Sequence, residues 1–243
     1  MRNRRNIIFA ITLSFFLSSV PASGEVLQVD SDFDGKMDQW HHMSGDNKIT
    51  KIEFDKNGDG KVDQTDIYER SDKPIRSELD TNFDGKTDQF QYYNKDFQVE
   101  RIERDSKFSG AVDWIEYYGT DKRIIRIESD ENRDGKMDSF QYFNDLGKLD
   151  RAEIDTDFNG KTDRWEYFGK EENLLKAAFD SNHNGKPDQW QYFIDSSILE
   201  KAEFDTNHDG KPDHWRYYDS SGKLVRVEED RNHDGKLDHV KRK

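Results

Sequence analysis

The stretch Asp155–Phe179, DTDFNGKTDRWEYFGKEENLLKAAF, decides the fold. Nine loop-forming residues open it, with acids or amides at positions 1, 3, 5 and 9 and glycine at 6. Arg164 to Phe168 then alternate polar and aromatic side chains, a polar turn follows, and Leu174 to Phe179 form a second short run. Alternation with aromatic and β-branched residues on both sides of a turn predicts a β-hairpin.

The same pattern recurs every 25 residues, from Asp30 through Asp55, Asp80, Asp105, Asp130, Asp155, Asp180 and Asp205 to Asp230. Position 6 is glycine and position 9 aspartate in all nine loops. Position 13 is tyrosine in six units and position 14 tyrosine or phenylalanine in seven. Position 22 is lysine or arginine in all eight complete units, and position 24 is glutamate in seven. Strict periodicity of this kind marks a repeat array in which each unit touches its neighbours. The expected fold is all-β, a curled meander or solenoid of hairpins spanning residues 25–243. With the turn placed at positions 15–19, parity puts positions 11 and 13 on one face with 23 and 25. Trp165, Tyr167, Ala177 and Phe179 would then form an apolar face, and Glu166 would lie against Lys176 on a charged one.

The bulk composition agrees with an economical repeat. Charged residues make up 37%, hydrophobic residues 32%, and mean hydropathy is −1.16, but aromatics reach 13% and provide side chains large enough to bury. Arg2, Arg4 and Arg5, the apolar run Ile7 to Val20 and the small residues Ala22 and Gly24 read as a secretory signal peptide over residues 1–24, or as an uncleaved anchor. Export would end in the periplasm or outside the cell. No later segment is apolar enough to span a bilayer as a helix. The chain has no cysteine, so disulfides cannot staple it. Formal charge is −14, and −17 without the first 24 residues, which hold three arginines and no acid. Nucleic acid is thereby an unsuitable partner, whereas cations suit it.

The loops give the cations a place. Ca²⁺ takes six to eight oxygen ligands, and side chains at positions 1, 3, 5 and 9 with the carbonyl of position 7 can supply them. The ligand sets are Asp30, Asp32, Asp34 and Asp38; Asp55, Asn57, Asp59 and Asp63; Asp80, Asn82, Asp84 and Asp88; Asp130, Asn132, Asp134 and Asp138; Asp155, Asp157, Asn159 and Asp163; Asp180, Asn182, Asn184 and Asp188; Asp205, Asn207, Asp209 and Asp213; and Asp230, Asn232, Asp234 and Asp238. The fourth loop has Lys107 at position 3 and Ser109 at position 5. Its ammonium can stand where an ion would, neutralising Asp105 and Asp113, so about eight ions are expected. The competing readings are Mg²⁺, and Asx-rich turns that bind nothing.

The loop resembles the first half of an EF-hand, though glutamate stands at position 12 only as Glu116 and Glu166. It is more similar to the DxDxDGxxD loops of integrin propellers and thrombospondin type 3 repeats, a resemblance which implies that the aspartate at position 9 is itself a ligand. The aromatic stripe, as in Trp215-Arg216-Tyr217-Tyr218 before Gly222-Lys223-Leu224, resembles choline- and glucan-binding cell-wall repeats and MORN-type hairpins. That resemblance implies a cell-envelope glycan as ligand; the alternative is that these rings simply form the core between hairpins.

No nucleophile motif, phosphate loop or zinc spacing is present, and no enzymatic activity is expected. His183, His208 and His233 fall at loop position 4, between ligand positions, and are expected to point outward. The reading is of an exported, Ca²⁺-stabilised structural or interaction module with a protein or glycan partner. Its Kd values would be on the order of 10⁻⁴–10⁻³ M, as in extracellular modules.

Overall fold

The computed structural model describes residues 24–69, 72–195 and 197–243. The signal-peptide segment therefore lies outside the described residues, apart from Gly24. The described residues hold eighteen strands, from Val26–Val29 to His239–Arg242, and no helix. Among the described residues no helix is long and apolar enough to cross a membrane.

Each strand pairs antiparallel with its neighbours in the chain, giving one open sheet, an all-β meander of hairpins. No strand comes within 8 Å, Cα to Cα, of any but its chain neighbours. Among the described residues no aromatic ring is buried, and the buried hydrophobic residues are Ile52, Ile102, Ala152, Ala177, Ala178 and Ala202. All but Ala178 sit at position 23, in the middle of the second strand of a unit. The repeat thus builds a ribbon whose interior lies within one layer.

Inside each unit the register differs from the parity expected above. In the sixth unit Arg164 pairs with Phe179, Trp165 with Ala178, Glu166 with Ala177 and Tyr167 with Lys176. The hairpin tip itself falls where expected: Gly169 N–H donates to Asn173 O at 2.8 Å, and Phe168 pairs with Leu174. Between Tyr167 and Phe168 the register shifts by one residue. The extra residue is Leu175, at position 21, which is exposed. A β-bulge inserts one unpaired residue and so flips every side chain beyond it to the other face. The same shift occurs in the units containing Tyr92, Tyr142, Tyr192 and Tyr217.

Positions 11 and 13 consequently share a face with 22 and 24, and rings and charges interleave. The guanidinium of Arg101 lies 4.1 Å from the ring centre of Tyr92, Arg151 4.2 Å from Tyr142 and Arg226 3.8 Å from Tyr217. Hydroxyls of Tyr92, Tyr192 and Tyr217 donate to Glu103, Glu203 and Glu228 at 3.1, 2.8 and 2.9 Å. Lys201 lies between the rings of Tyr192 and Tyr217, at 5.5 and 5.7 Å, so the ladder runs from unit to unit. Each cation–π contact contributes about 0.5–1 kcal/mol at such half-exposed positions. No purely apolar face is left to be covered, which is why one layer suffices.

The opposite face carries positions 10, 12, 14 and 23. Glu116 accepts hydrogen bonds there from Trp114 Nε1 at 3.0 Å and Tyr118 Oη at 2.5 Å, and pairs with Arg104 at 2.6 Å. Burial alone would raise the Glu116 pKa, but those three partners hold it below the usual carboxylate range. Burial and the same carboxylate push the Tyr118 hydroxyl up to about 12.

A row of candidate metal loops

All nine loops lie along one edge of the sheet and the hairpin turns along the other. Consecutive loops are two strands apart, or roughly 9–10 Å. The sheet ladder runs into each loop base: Asp180 N–H donates to Asp163 O and Asp188 N–H to Phe179 O, at 2.9 and 2.8 Å. The aspartates at positions 1 and 9 are therefore tucked into the sheet edge. Fifteen of them are buried, from Asp55 to Asp230. Asp30, Asp38 and Asp238, in the two outermost loops, are less covered.

A common scaffold shapes each loop. Both oxygens of the position-1 carboxylate accept backbone N–H groups: Asp155 takes Asn159 N–H at 3.1 Å and Gly160 N–H at 2.6 Å. Position 3 accepts from the N–H of position 5, and position 5 from that of position 7, as in Asn82 to Asp84 at 3.0 Å and Asp84 to Lys86 at 2.9 Å. Position 9 accepts from the other limb: Thr156 donates its N–H and hydroxyl to Asp163. Glycine is required at position 6, where φ is +88° in Gly160. Position 4 is also left-handed, with φ of 60° at Phe158 and 58° at His183, a conformation costing an L-residue about 1–2 kcal/mol.

These bonds leave ligand capacity, because a carboxylate has about four lone-pair sites. In the first loop Asp30, Asp32 and Asp38 bring one oxygen each within 4.8 Å of one another. Asp34 is not in that group; its Oδ1 accepts Lys36 N–H at 2.8 Å. In the sixth loop Asp157 and Asp163 converge with His183, which belongs to the next loop. In the second, third, fifth, seventh, eighth and ninth loops position 3 is an asparagine, whose Oδ1 accepts the position-5 N–H in the same way.

The fourth loop keeps the bonds of positions 1 and 9, loses the one at position 3, and changes the charge. Asp105 accepts Ser109 N–H at 2.8 Å and Gly110 N–H at 2.5 Å. Burial would raise its pKa, but these N–H groups and the Ser109 hydroxyl outweigh that and lower it. Lys107 Nζ lies 4.0 Å from Asp113 Oδ2, a buried oxygen with no hydrogen-bond partner.

The histidines at position 4 are exposed, as expected, but each also reaches the preceding loop. His183 Nδ1 is 3.1 Å from Asp157 Oδ2, His208 Nδ1 3.8 Å from Asp188 Oδ2, and His233 Nδ1 3.3 Å from Asp213 Oδ2. The sequence signal was present in three consecutive histidines at one loop position, but the inter-loop geometry needed to read it was not.

No family model matches the chain, and no curated protein matches it. Its likenesses to solved structures are faint. Accessory secretory protein 1, 2 and 3 of Streptococcus pneumoniae is 15% identical with a TM-score of 0.33, over 44% of this chain and 19% of that one. The TcdB2–TccC3–Cdc42 complex is 11% identical with a TM-score of 0.24, over 87% and 14%. The Photorhabdus luminescens Tc holotoxin pore is 12% identical with a TM-score of 0.18, over 87% and 15%. The chain thus spans under a fifth of the length of each, and scores this low establish no shared fold.

Proposed function

We propose that this is an exported, non-catalytic repeat protein that binds about eight Ca²⁺ ions in its loop row and serves as a Ca²⁺-stiffened structural or interaction module. The observation that carries the reading is the file of buried aspartates at positions 1 and 9 along one sheet edge. Buried carboxylates are costly without a compensating cation. A hard cation bound by oxygen ligands is the compensation their spacing suits. The fourth loop supports this from the other side, since Lys107 supplies a positive charge where a ligand is missing.

A glycan-binding role for the aromatic stripe is the weaker reading. Ring faces at position 13 that would stack on sugars are already occupied by Arg101, Arg151 and Arg226.

Calorimetric titration of the chelator-treated full chain with Ca²⁺ tests the proposal. Uptake near eight equivalents in the millimolar range is expected. Saturation with Mg²⁺ alone would make the row a Mg²⁺ row, and no uptake of either ion would reduce the loops to Asx turns.

A further inference from the structure

We propose that the junction between the sixth and seventh loops forms a second class of metal site, a mixed carboxylate–imidazole site that takes Zn²⁺ or a similar borderline divalent ion. The inference rests on reading these loops as metal sites, but not on their occupancy by Ca²⁺.

In the last three loops the position-4 side chain reaches toward the preceding loop. In the first six loops that residue is Phe33, Gly58, Phe83, Phe108, Arg133 or Phe158, none of which offers a neutral nitrogen ligand. In the last three it is histidine. The junction between the sixth and seventh loops brings Asp157, Asp163 and His183 together, with one ligand atom from each inside 4.8 Å. The next two junctions bring together only an imidazole and one carboxylate, His208 with Asp188 and His233 with Asp213, too few for a site.

The spacing suits a small ion. Zinc bonds to nitrogen and carboxylate oxygen of ~2.0 Å in a tetrahedron place neighbouring ligand atoms roughly 3.3 Å apart. The nitrogen–oxygen distance between His183 and Asp157 is 3.1 Å. Three protein ligands with an open fourth position for water complete the tetrahedron at the first junction. Imidazole also changes the selectivity: Ca²⁺ and Mg²⁺ favour oxygen, whereas zinc, copper and nickel accept nitrogen. At His208 the Asn182 Nδ2 lies 2.7 Å from Nδ1. As a donor, that amide occupies the Nδ1 lone pair, so His208 is engaged within the protein.

The test titrates the full chain with ZnCl₂ and, separately, with CaCl₂, alongside the triple variant H183N/H208N/H233N. Asparagine tolerates the left-handed backbone that position 4 needs. The wild type should take up about one more equivalent of Zn²⁺ than the variant, H183N alone should remove it, and both proteins should bind Ca²⁺ equally. Equal zinc uptake in the two proteins overturns the proposal. So does a variant that loses Ca²⁺ and Zn²⁺ together, because the histidines would then only shape the loops. Zinc uptake that depends on the histidines, in a chain that takes no Ca²⁺, would sink the calcium reading and leave this one standing.

Discussion

The fourth and sixth loops share one backbone and differ in how they handle charge. Asp105 and Asp155 each accept two N–H groups across the bend, and Asp113 and Asp163 each accept the N–H of position 2. Gly110 and Gly160 have φ of +93° and +88°. Yet the sixth loop gathers Asp157, Asp163 and His183 into a ligand cluster, while the fourth sets Lys107 against Asp113. Loop shape therefore follows positions 1, 6 and 9, and the charge set around the loop follows position 3 and the neighbouring loop. The two properties are separable, and substitutions can pull them apart.

The largest effect should come from the position-1 aspartates. Asp155→Ala and Asp105→Ala each orphan two loop N–H groups, at about 1–3 kcal/mol per group where these are shielded from water. Denaturant unfolding in chelator should show similar losses for both. Only Asp155→Ala should reduce Ca²⁺ stoichiometry by one; an equal reduction in Asp105→Ala would break the distinction between the loops.

Rebuilding the fourth loop as K107N/S109D should add one Ca²⁺ to the calorimetric count. At a tenfold excess of free Ca²⁺ over its Kd the added site would stabilise the fold by about 1.4 kcal/mol, read as a shift in the denaturant midpoint. Gly110→Ala and Gly160→Ala should each cost about 1 kcal/mol for forcing a side chain into the left-handed region. Without metal the two costs should match, since the bend is common to both loops.

The smallest effect is the acid limb of the stability curve in chelator. Asp105 has its folded pKa lowered, so its contribution is fully present above the unfolded aspartate value, about 3.9, and is lost as pH falls through the lower folded value. Asp105→Asn should flatten the stability curve in that window. An unchanged slope between pH 2 and 5 would show that the N–H groups around Asp105 do not favour its charged form.

The hairpin fold and the edge position of the loops were legible because period, glycine and aspartate are strict, and strand alternation begins just after position 9. The faces were not. A bulge at position 21 has no fixed residue to announce it: Glu100, Ile125, Asp150 and Leu175 all occupy that place. A usable clue was the constant arginine or lysine at 22 beside a nearly constant tyrosine at 13, which are cross-strand partners, as Arg101 and Tyr92 are. Reading hydrophobic against charged assigned them to opposite faces, because it ignored the affinity of a guanidinium for a ring. Likewise Lys107 was readable within its own loop, whereas His183 acts on Asp157, 26 residues earlier, through a contact only the packed row supplies.

The central claim is that the aspartate row is a Ca²⁺ row that helps hold the sheet together. Thermal unfolding of the full chain, followed by far-ultraviolet circular dichroism from excess chelator to several millimolar free Ca²⁺, tests it most directly. The account predicts a Tm that climbs with Ca²⁺ through the millimolar range, as binding to the folded chain alone requires. A Tm identical in chelator and in Ca²⁺ would contradict it.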